Sequence, residues 1–357
     1  MCKLKNLLII YPQLKEAMSG GQVVDFIFIN ELTTCNNIKA KSITDDDISN
    51  KSILGYIKYT LLNINQIRNN DIFFTNSRLY PRLLLCMFLI RLLRTKMRTI
   101  CYHHHYNYMT HNRLRRIIHY FLELSFLRLF DDVIIPSPYV MDISRSKLNN
   151  VKLKYIEIGF NKPDHLKLNN KISLSGNLLF VGTVERRKNI HHLVELAKFL
   201  TCNGIDSIIH IVGNIPDIEY RNKIERMIQE YGVENNVKIL GRVSSDRLGS
   251  LYNDNDVFVF PSGHEGYGMV LIEAMSYGLP VVAYNNSAMP YSVIHEYNGL
   301  LACNENIKDF GNMVKELLCN PQLYSKLRAG ALDTATKINT YNQMLEKMKC
   351  FVDTLIC

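Results

Sequence analysis

Short apolar runs of strand length alternate with longer segments of helical periodicity along the whole chain. The strand candidates are LLIIY (7–11), DIFFT (71–75), RTICY (98–102), DVIIP (132–136), LLFVG (178–182), IIHIVG (208–213), VKILG (237–241), VFVFP (257–261) and PVVAY (280–284). Continuous apolar strands that alternate with helices are typical of parallel sheets covered by helices on both faces. The pattern therefore predicts an α/β protein with doubly wound sheets.

The length of the chain predicts more than one such sheet. With 357 residues, the chain exceeds the size at which a single hydrophobic core stops growing, so we expect two domains. Two doubly wound domains that face each other create a cleft. In open α/β sheets ligands bind at the carboxyl ends of the strands, and the glycine-rich turns of this sequence fall at those positions.

Charge is distributed unevenly between the two halves. Residues 1–158 carry 22 Lys and Arg against 12 Asp and Glu, whereas residues 159–357 carry 20 against 21. The basic residues of the first half cluster at 82–98 and 113–130, where arginines alternate with long apolar side chains. Such segments suit an anionic membrane surface. Buried helices with a solvated edge would show the same pattern, and nucleic-acid binding is disfavoured because no recognition motif accompanies the charge.

Cysteine usage and hydropathy indicate a cytoplasmic protein. The nine cysteines are scattered and form no CxxC pair, which favours reduced thiols over a disulfide framework or a zinc site. Residues 1–22 lack the apolar core of a signal peptide. The most lipid-like run, 83–90, is bounded by Arg82 and Arg91 and is too short to span a bilayer. We expect a cytoplasmic location, with peripheral attachment to the inner face of the cell membrane as an option.

The stretch HEGYGMVLIEAMSYGLPVVAY, residues 264–284, predicts a loop, a helix and a strand. Gly266 and Gly268 leave backbone amides free at the positive end of that helix, which forms an anion site suited to a diphosphate. A carboxylate beside a phosphate is repelled, so Glu265 and Glu273 should accept hydrogen bonds from neutral hydroxyls of a sugar and a ribose, respectively. The alternative is that Glu265 caps the helix and Glu273 is merely solvated.

The same stretch resembles the Glu-x7-Glu signature of the retaining GT-B glycosyltransferases, in particular the large nucleotide-sugar-dependent family 4. The resemblance extends to LLIIYPQLKEAMSGGQVVDF (7–26), LLFVGTVERRKNIHHLVELA (178–197) and NNVKILGRVSSDRLGSLYNDNDVFVFPS (235–262). It is nearly complete over 178–302 and looser over 1–158. The fold that it implies is GT-B, with two doubly wound Rossmann-like domains that face a central cleft.

The family resemblance also implies a division of the chain into three parts. An N-terminal acceptor-binding domain would span 1–158, and a donor-binding domain for the nucleotide-sugar would span 159–337. A C-terminal helix, 338–357, would cross back to the first domain. The segment EIGFNKP, 157–163, stands where the linker of the family enters the second domain.

Donor-site roles follow from the resemblance position by position. Arg187 and Lys188 match the basic pair that binds the donor diphosphate and stabilises the charge on the leaving group. A solvated helix start is the alternative, although adjacent cations there oppose the helix dipole. Thr183 stands where many relatives carry an arginine, which leaves more of this task to the pair. The remaining donor contacts are Gly266, Tyr267, Gly268 and Glu273, with Glu265 at the transferred sugar.

In the first half, Gly20 and Gly21 match the glycine loop that approaches the diphosphate and the acceptor. A plain strand-to-helix turn would show the same sequence pattern. The segment YHHHYNYM, 102–109, resembles the place of a histidine that contacts the sugar or the acceptor. It contains three candidates: His103, His104 and His105. We favour His104. A metal site is not expected, because consecutive residues of an extended segment point to opposite faces.

The resemblance thus implies a retaining hexosyltransferase that moves a sugar from a nucleotide-sugar to an acceptor hydroxyl in polysaccharide, lipopolysaccharide or glycolipid biosynthesis. The acceptor would be a glycan or a lipid-linked molecule. In the implied front-face displacement the leaving phosphate helps to deprotonate the incoming hydroxyl. Neither a metal nor a further cofactor is expected, because Arg187, Lys188 and backbone amides supply the positive field. The alternatives are a nucleotide-sugar epimerase of the same architecture and a catalytically silent scaffold subunit of a glycan-assembly complex.

Overall fold

Two parallel six-stranded sheets form the framework of the computed structural model, which describes residues 4–11, 20–44, 52–93, 96–110, 112–161 and 174–356. Each sheet belongs to its own compact unit. The first unit comprises residues 1–159 and 339–357, and the second comprises 160–338. Each bound differs by one residue from the corresponding bound in the sequence analysis. Residues 12–19 of the glycine-loop segment and 162–163 of the linker segment lie outside the described residues.

The first unit has the strand order β2-β1-β3-β4-β5-β6, and each pair of neighbours is parallel. Its strands are β1 (Lys5–Tyr11), β2 (Ile38–Thr44), β3 (Ile72–Asn76), β4 (Arg98–Tyr102), β5 (Asp132–Ile135) and β6 (Lys152–Tyr155). The helices that connect them are α1 (Gly20–Thr34), α2 (Ile53–Arg68), α3 (Tyr80–Leu92), α4 (Arg113–Leu127) and α5 (Pro138–Lys147).

The second unit has the strand order β12-β11-β10-β7-β8-β9, again with parallel neighbours. Its strands are β7 (Leu178–Val181), β8 (Ile209–Val212), β9 (Val237–Gly241), β10 (Val257–Phe260), β11 (Val281–Tyr284) and β12 (Gly299–Ala302). Its helices are α6 (Ile190–Cys202), α7 (Ile218–Tyr231), α8 (Ser245–Asp254), α9 (Met269–Ser276), α10 (Met289–Ser292), α11 (Ile307–Cys319) and α12 (Pro321–Lys337).

The last helix, α13 (Tyr341–Ile356), belongs to the first unit and packs against α1. Phe28 of α1 lies between this helix and the sheet, with its ring centroid 6.1 Å from that of Phe351 and 5.3 Å from that of Phe74. Helices α2, α3 and α4 cover the opposite face of the sheet, where Tyr56, Met87 and other buried side chains join one apolar core with the strands. The central strands are therefore buried on both faces, which explains their continuous apolar sequences.

All nine predicted strands are present, and the predicted α/β class with two doubly wound sheets is confirmed. Three further strands, β2, β6 and β12, were not predicted. All three lie at sheet edges. Strands β2 and β6 have few buried positions, so polar residues are tolerated between their apolar ones. None of the described helices has both the length and the apolar character needed to cross a bilayer.

Candidate active site

The loops that follow β7, β10 and β11 meet in the second unit, because these strands are parallel neighbours and their carboxyl ends lie side by side. After β7 the chain forms a 3-10 turn, Arg186–Lys188, and enters α6 through Asn189 in the left-handed conformation. Gly263 of the loop after β10 donates its N–H to the carbonyl of Arg187 at 2.9 Å. Asn189 Nδ2 donates to the carbonyl of Pro261 at 3.2 Å. These bonds hold the two loops in a fixed relation.

Glu265 is the centre of this arrangement. Its Oε1 accepts from Arg187 Nη1 at 2.8 Å, from Ser262 Oγ at 2.6 Å and from Lys188 Nζ. Its backbone N–H donates to Ser287 Oγ in the loop after β11 at 2.9 Å. Glu265 and Lys188 are only 9% and 8% exposed. Sequence reasoning placed the two cations and this carboxylate in one site, but it did not predict their direct contact.

The charges of this cluster determine one another. Burial acts to raise the pKa of the Glu265 carboxyl, but Lys188 and Arg187 lower that pKa to about 2. Burial lowers the pKa of the Lys188 ammonium, and the carboxylate of Glu265 opposes that shift. For Arg187, burial also acts downward, yet Glu265 and Glu185 together raise the pKa of the guanidinium. Glu265 is therefore a carboxylate at neutral pH, neutralised by two cations.

Arg187 and Lys188 differ from the third basic residue of the turn. Arg187 Nη2 also donates to Glu185 Oε1 at 2.6 Å, and Lys188 Nζ lies 4.7 Å from the centre of the Phe260 ring. Arg186 instead forms exposed ion pairs with Asp217 and Glu219. The structure thus separates the predicted pair from a neighbour with the same charge.

The N-terminus of α9 lies directly after this cluster. Gly268 is the N-cap residue and has a φ of 85°, and no side chain caps the helix. A Cβ on Gly268 would lie 3.0 Å from Leu271 Cδ1 and 3.1 Å from Met289 Cε, so only glycine suits this position. The alternative in which Glu265 caps the helix is wrong, because its carboxylate binds Arg187 and Lys188. The ring of the predicted donor residue Tyr267 packs 6.0 Å from that of Phe160.

Glu273, in α9, has a different environment from Glu265. Its Oε2 accepts from the hydroxyl of Tyr252 at 3.2 Å, and the Tyr252 ring stacks on that of Tyr277 at 4.9 Å. Burial raises the pKa of Glu273, and the bond from Tyr252 offsets only part of that effect. Among the described residues no Lys or Arg forms an ion pair with it. Glu273 is a half-buried carboxylate held by a neutral hydroxyl, and the alternative of a merely solvated side chain does not hold.

A second polar cluster lies at the strand ends of the first unit, around Asp25 of α1. This carboxylate is buried, and its Oδ2 accepts from Tyr11 Oη at 2.5 Å and from Asn76 Nδ2 at 2.6 Å. Its Oδ1 lies 2.7 Å from His104 Nε2. Tyr11, Asn76 and His104 end or follow the neighbouring strands β1, β3 and β4. Sequence reasoning missed Asp25, although a single acid inside the apolar run VVDFIFI, four residues after Gly21, marks it.

The histidines of this segment have separate environments. His103 is fully buried, its Nδ1 lies 2.9 Å from Ser77 Oγ, and burial lowers its pKa. His104 is half-buried and stacks on Tyr102 with ring centroids 4.8 Å apart. A Cβ on Gly21 would lie 3.5 Å from His104 Nδ1. His105 is half-buried as well.

The predicted glycine pair lies at the start of a helix. Gly20 and Gly21 form the first turn of α1, and the residues before them lie outside the described part of the chain. The structure therefore brings Gly21, Asp25 and His104 together in the first unit and Arg187, Lys188 and Glu265 together in the second. In the residues that the structure describes, no group of three or more His, Cys, Asp or Glu side chains could hold a metal ion.

Comparison with known proteins identifies relatives of this chain. Residues 166–333 match the family model of the glycosyl transferases group 1. An uncharacterized glycosyltransferase of Methanocaldococcus jannaschii is 30% identical over 164 residues, which are 45% of this chain and 43% of that protein. The capsular polysaccharide biosynthesis glycosyltransferase CapM of Staphylococcus aureus is 25% identical over 49% of this chain and 45% of its own length. The chain thus spans less than half the length of these relatives.

A solved structure extends the likeness to nearly the whole chain. Anabaena HepE, crystallised with UDP and glucose, superposes with a TM-score of 0.72 at 16% identity and covers 97% of this chain and 99% of its own. At that identity the likeness shows the fold. It confirms the GT-B fold that the sequence predicted.

Proposed function

Residues 166–333 of this chain match the family model of the glycosyl transferases group 1, and from that match we propose that the protein is a retaining hexosyltransferase. It moves a sugar from a nucleotide-sugar to an acceptor hydroxyl in polysaccharide, lipopolysaccharide or glycolipid biosynthesis. The observation that carries the proposal is the buried cluster of Arg187, Lys188 and Glu265 beside the N-terminus of α9. It combines fixed cations with the positive end of a helix that no side chain caps, which together suit a diphosphate.

Glu265 has a positioning role in this site that its predicted contact with the sugar did not include. Arg187 and Lys188 both bind its Oε1, so their side chains are held in place before any ligand arrives. Preorganised cations stabilise developing charge at little reorganisation cost. The repulsion expected between a carboxylate and a phosphate is reduced because the two cations neutralise Glu265. The same residue can therefore lie next to the diphosphate and still accept a sugar hydroxyl.

Lys188 and Arg187 accelerate the departure of the diphosphate, because they stabilise the negative charge that develops on it. As the anomeric C–O bond breaks, the bonding electron pair passes to the phosphate oxygen, and the acceptor oxygen bonds to the anomeric carbon from the same face. The proton of the acceptor hydroxyl goes to that phosphate oxygen. The fixed cations supply the positive field, so the proposal includes no metal and no cofactor besides the donor.

We assign His104, in the first unit, to contact with the sugar or the acceptor. Asp25 holds His104 Nε2, so Nδ1 is presented toward Gly21. A carboxylate that binds one nitrogen of a histidine fixes its ring orientation and tautomer. We assign Asp25 as a positioning residue for His104, with Tyr11 and Asn76 fixing Asp25 in turn.

The acceptor class is proposed by analogy with a relative, and the cytoplasmic location is proposed from the sequence. CapM is named for capsular polysaccharide biosynthesis, and a glycan or lipid-linked acceptor in the cytoplasm fits a chain of this kind. HepE was solved with UDP and glucose, and UDP, GDP and ADP are the candidate nucleotides here. The proposal includes no nucleic-acid partner.

Release of nucleoside diphosphate tests this function. The purified protein is incubated with each nucleotide-sugar, with and without a mixture of glycan and lipid-linked acceptors. A transferase releases the diphosphate only when acceptor is present. An epimerase would convert the donor without acceptor, and a scaffold subunit would do neither, so either result overturns the proposal.

Glu273→Ala should weaken donor binding and leave turnover at saturating donor almost unchanged. A hydrogen bond from a ribose hydroxyl to a carboxylate contributes about 1.5–3 kcal/mol, equal in ground and transition states, so the Kd should rise about 10- to 100-fold. Titration calorimetry and saturation kinetics measure the two effects. Tyr252→Phe is the control, because it removes only the internal partner of Glu273. A fall in turnover without a change in Kd would contradict the ribose assignment.

His104→Ala and Asp25→Asn should lower turnover by similar factors, about tenfold each as for the loss of one hydrogen bond, because one residue acts through the other. The double variant should lose little more than either single variant, since coupled residues are not additive. Steady-state kinetics on the three variants measures this coupling. Tyr11→Phe, which removes one donor to Asp25 and leaves the bond to His104, should have a smaller effect. Independent, multiplicative losses would show that Asp25 has a structural role only.

A further inference from the structure

Helix α4 carries an apolar ridge on its outer surface. Leu114, Ile117, Ile118 and Phe121 are 75%, 56%, 54% and 63% exposed. They recur at the spacing that places side chains on one face of a helix. The residues of α4 that enter the core lie further along, at Leu124, Phe126 and Leu127. The ridge is therefore an apolar face that the rest of the described unit leaves uncovered.

Arginines surround this ridge at the start of α4. Arg113, Arg115 and Arg116 are all exposed. They occupy the first turn of the helix, where the positive end of the helix dipole disfavours cations. The single acid of α4, Glu123, is buried and binds the backbone N–H groups of Asn107 and Tyr108. The accessible charge of α4 is thus entirely positive, in a position that local helix stability does not favour.

Neighbouring helices extend the same surface. Helix α3 packs against both α2 and α4, and neither α2 nor α3 contains an Asp or a Glu. Lys58 of α2 is exposed on this surface. The exposed apolar side chains of the two helices include Leu54, Leu61, Leu62, Leu85, Phe88 and Leu92. We call the exposed side chains of α2, α3 and α4 the basic apolar face.

We propose that the basic apolar face docks on an anionic lipid bilayer. An amphipathic helix with arginines beside a ridge of Leu, Ile and Phe is suited to lie in the interface, with its apolar side chains among the acyl chains and its cations at the headgroups. An exposed apolar surface with charged residues beside it marks an interaction site. A second copy of the chain would bring like charges together, which disfavours self-association through this face. The proposal goes beyond the sugar transfer and does not depend on it.

Vesicle flotation tests the docking with the full chain. The purified protein is mixed with vesicles of phosphatidylcholine alone or of an equimolar mixture of phosphatidylcholine and phosphatidylglycerol. We expect capture by the mixed vesicles at low salt, little capture by the neutral ones, and release as added salt screens the headgroups. Equal capture by neutral vesicles, or no capture by the mixed ones, would overturn the proposal.

Two variants separate the electrostatic and apolar contributions. Arg113→Glu, Arg115→Glu and Arg116→Glu together should lower the partition onto mixed vesicles by about 100-fold or more. Because acids are favoured at a helix N-terminus, the midpoint of thermal unfolding should stay equal or rise. Leu114→Ser, Ile117→Ser and Phe121→Ser together should lower the partition by about tenfold or more. A partition equal to that of the unaltered protein in either triple variant would overturn the proposal.

A matched control changes the same charge elsewhere. Lys223, Arg226 and Lys326 are exposed on the second unit, and their replacement by Glu alters net charge as much as the α4 triple variant does. We expect this control to bind mixed vesicles nearly as well as the unaltered protein. Equal losses in both would overturn the assignment to α4. Size-exclusion chromatography tests one further outcome. If the unaltered protein is a dimer and the triple variant Leu114→Ser, Ile117→Ser and Phe121→Ser is a monomer, the face binds a second copy of the chain instead.

Discussion

Lys188→Ala should lower turnover at saturating donor by about 10²-fold or more, which is the usual effect of removing one preorganised electrostatic group. Lys188 is buried against Glu265 and Phe260, so no solvent cation can take its place easily. Its interaction grows as the diphosphate leaves, and only interactions that are stronger in the transition state accelerate the step. Donor affinity should therefore fall less than turnover. Single-turnover kinetics with a binding titration measures both quantities.

The neighbouring arginine provides the control for this prediction. Arg186 carries the same charge two positions earlier, but it pairs with Asp217 and Glu219 at the surface. Arg186→Ala should leave turnover almost unchanged. If Lys188→Ala retains the turnover of Arg186→Ala while the fold stays intact, the donor site does not lie at this cluster, and the scaffold alternative gains support.

Glu265→Gln should lower the stability of the second unit by about 3 kcal/mol at neutral pH. The reason is that the pKa of Glu265 is about 2 in the folded state, whereas its ordinary value, which applies to the unfolded chain, is 4.5. The variant removes the carboxylate that both cations share, so Lys188 stays buried without its ion-pair partner while Arg187 keeps its ion pair with Glu185. Urea unfolding followed by circular dichroism measures the loss. Ser262→Ala, which removes a neutral donor to the same Oε1, should cost about 1 kcal/mol.

Lowering the pH should abolish the difference in stability between the unaltered protein and Glu265→Gln over a defined pH range. A carboxyl with a depressed folded pKa contributes stability that is fully present above its unfolded pKa and is lost as the pH falls through its folded pKa. The difference in unfolding free energy between the unaltered protein and Glu265→Gln should thus be constant above pH 4.5. It should decrease between the two pKa values and vanish near pH 2. At about pH 3 less than half of it should remain. A gap that stays constant down to pH 3 would show that Glu265 is not held by the two cations.

The sequence predicted the buried strands well because their signal is local. Strand β4 was predicted with its observed bounds, and LLFVG and VFVFP each ran one residue too long. Edge strands such as KLKY carry no such signal, since partner strands and not burial hold them. The two ends of α9, at Gly268 and Gly278, were also predictable, because glycine is the residue that marks such ends in a sequence. Both residues have positive φ values, which disfavour other residue types.

The candidate sites were only partly predictable, because their contacts join distant parts of the chain. Arg187, Lys188 and Glu265 were each chosen, yet nothing in the local sequence shows that their side chains share one oxygen across more than seventy positions. Asp25 was missed for a similar reason. The apolar run around it marks this acid as unusual, but only the fold brings Tyr11, Asn76 and His104 to its two oxygens.

Binding of a nucleoside diphosphate tests the central claim most directly, because it requires no knowledge of the sugar or the acceptor. The midpoint of thermal unfolding is measured with UDP, GDP and ADP for the unaltered protein and for a variant that combines Arg187→Ala with Lys188→Ala. A ligand that binds only the folded state raises the midpoint by an amount that grows with the logarithm of the ratio of its concentration to its Kd. We predict that at least one of the three raises the midpoint of the unaltered protein and not that of the variant. An equal rise in both proteins, or none with any of the three, would contradict a diphosphate site at Arg187, Lys188 and the N-terminus of α9.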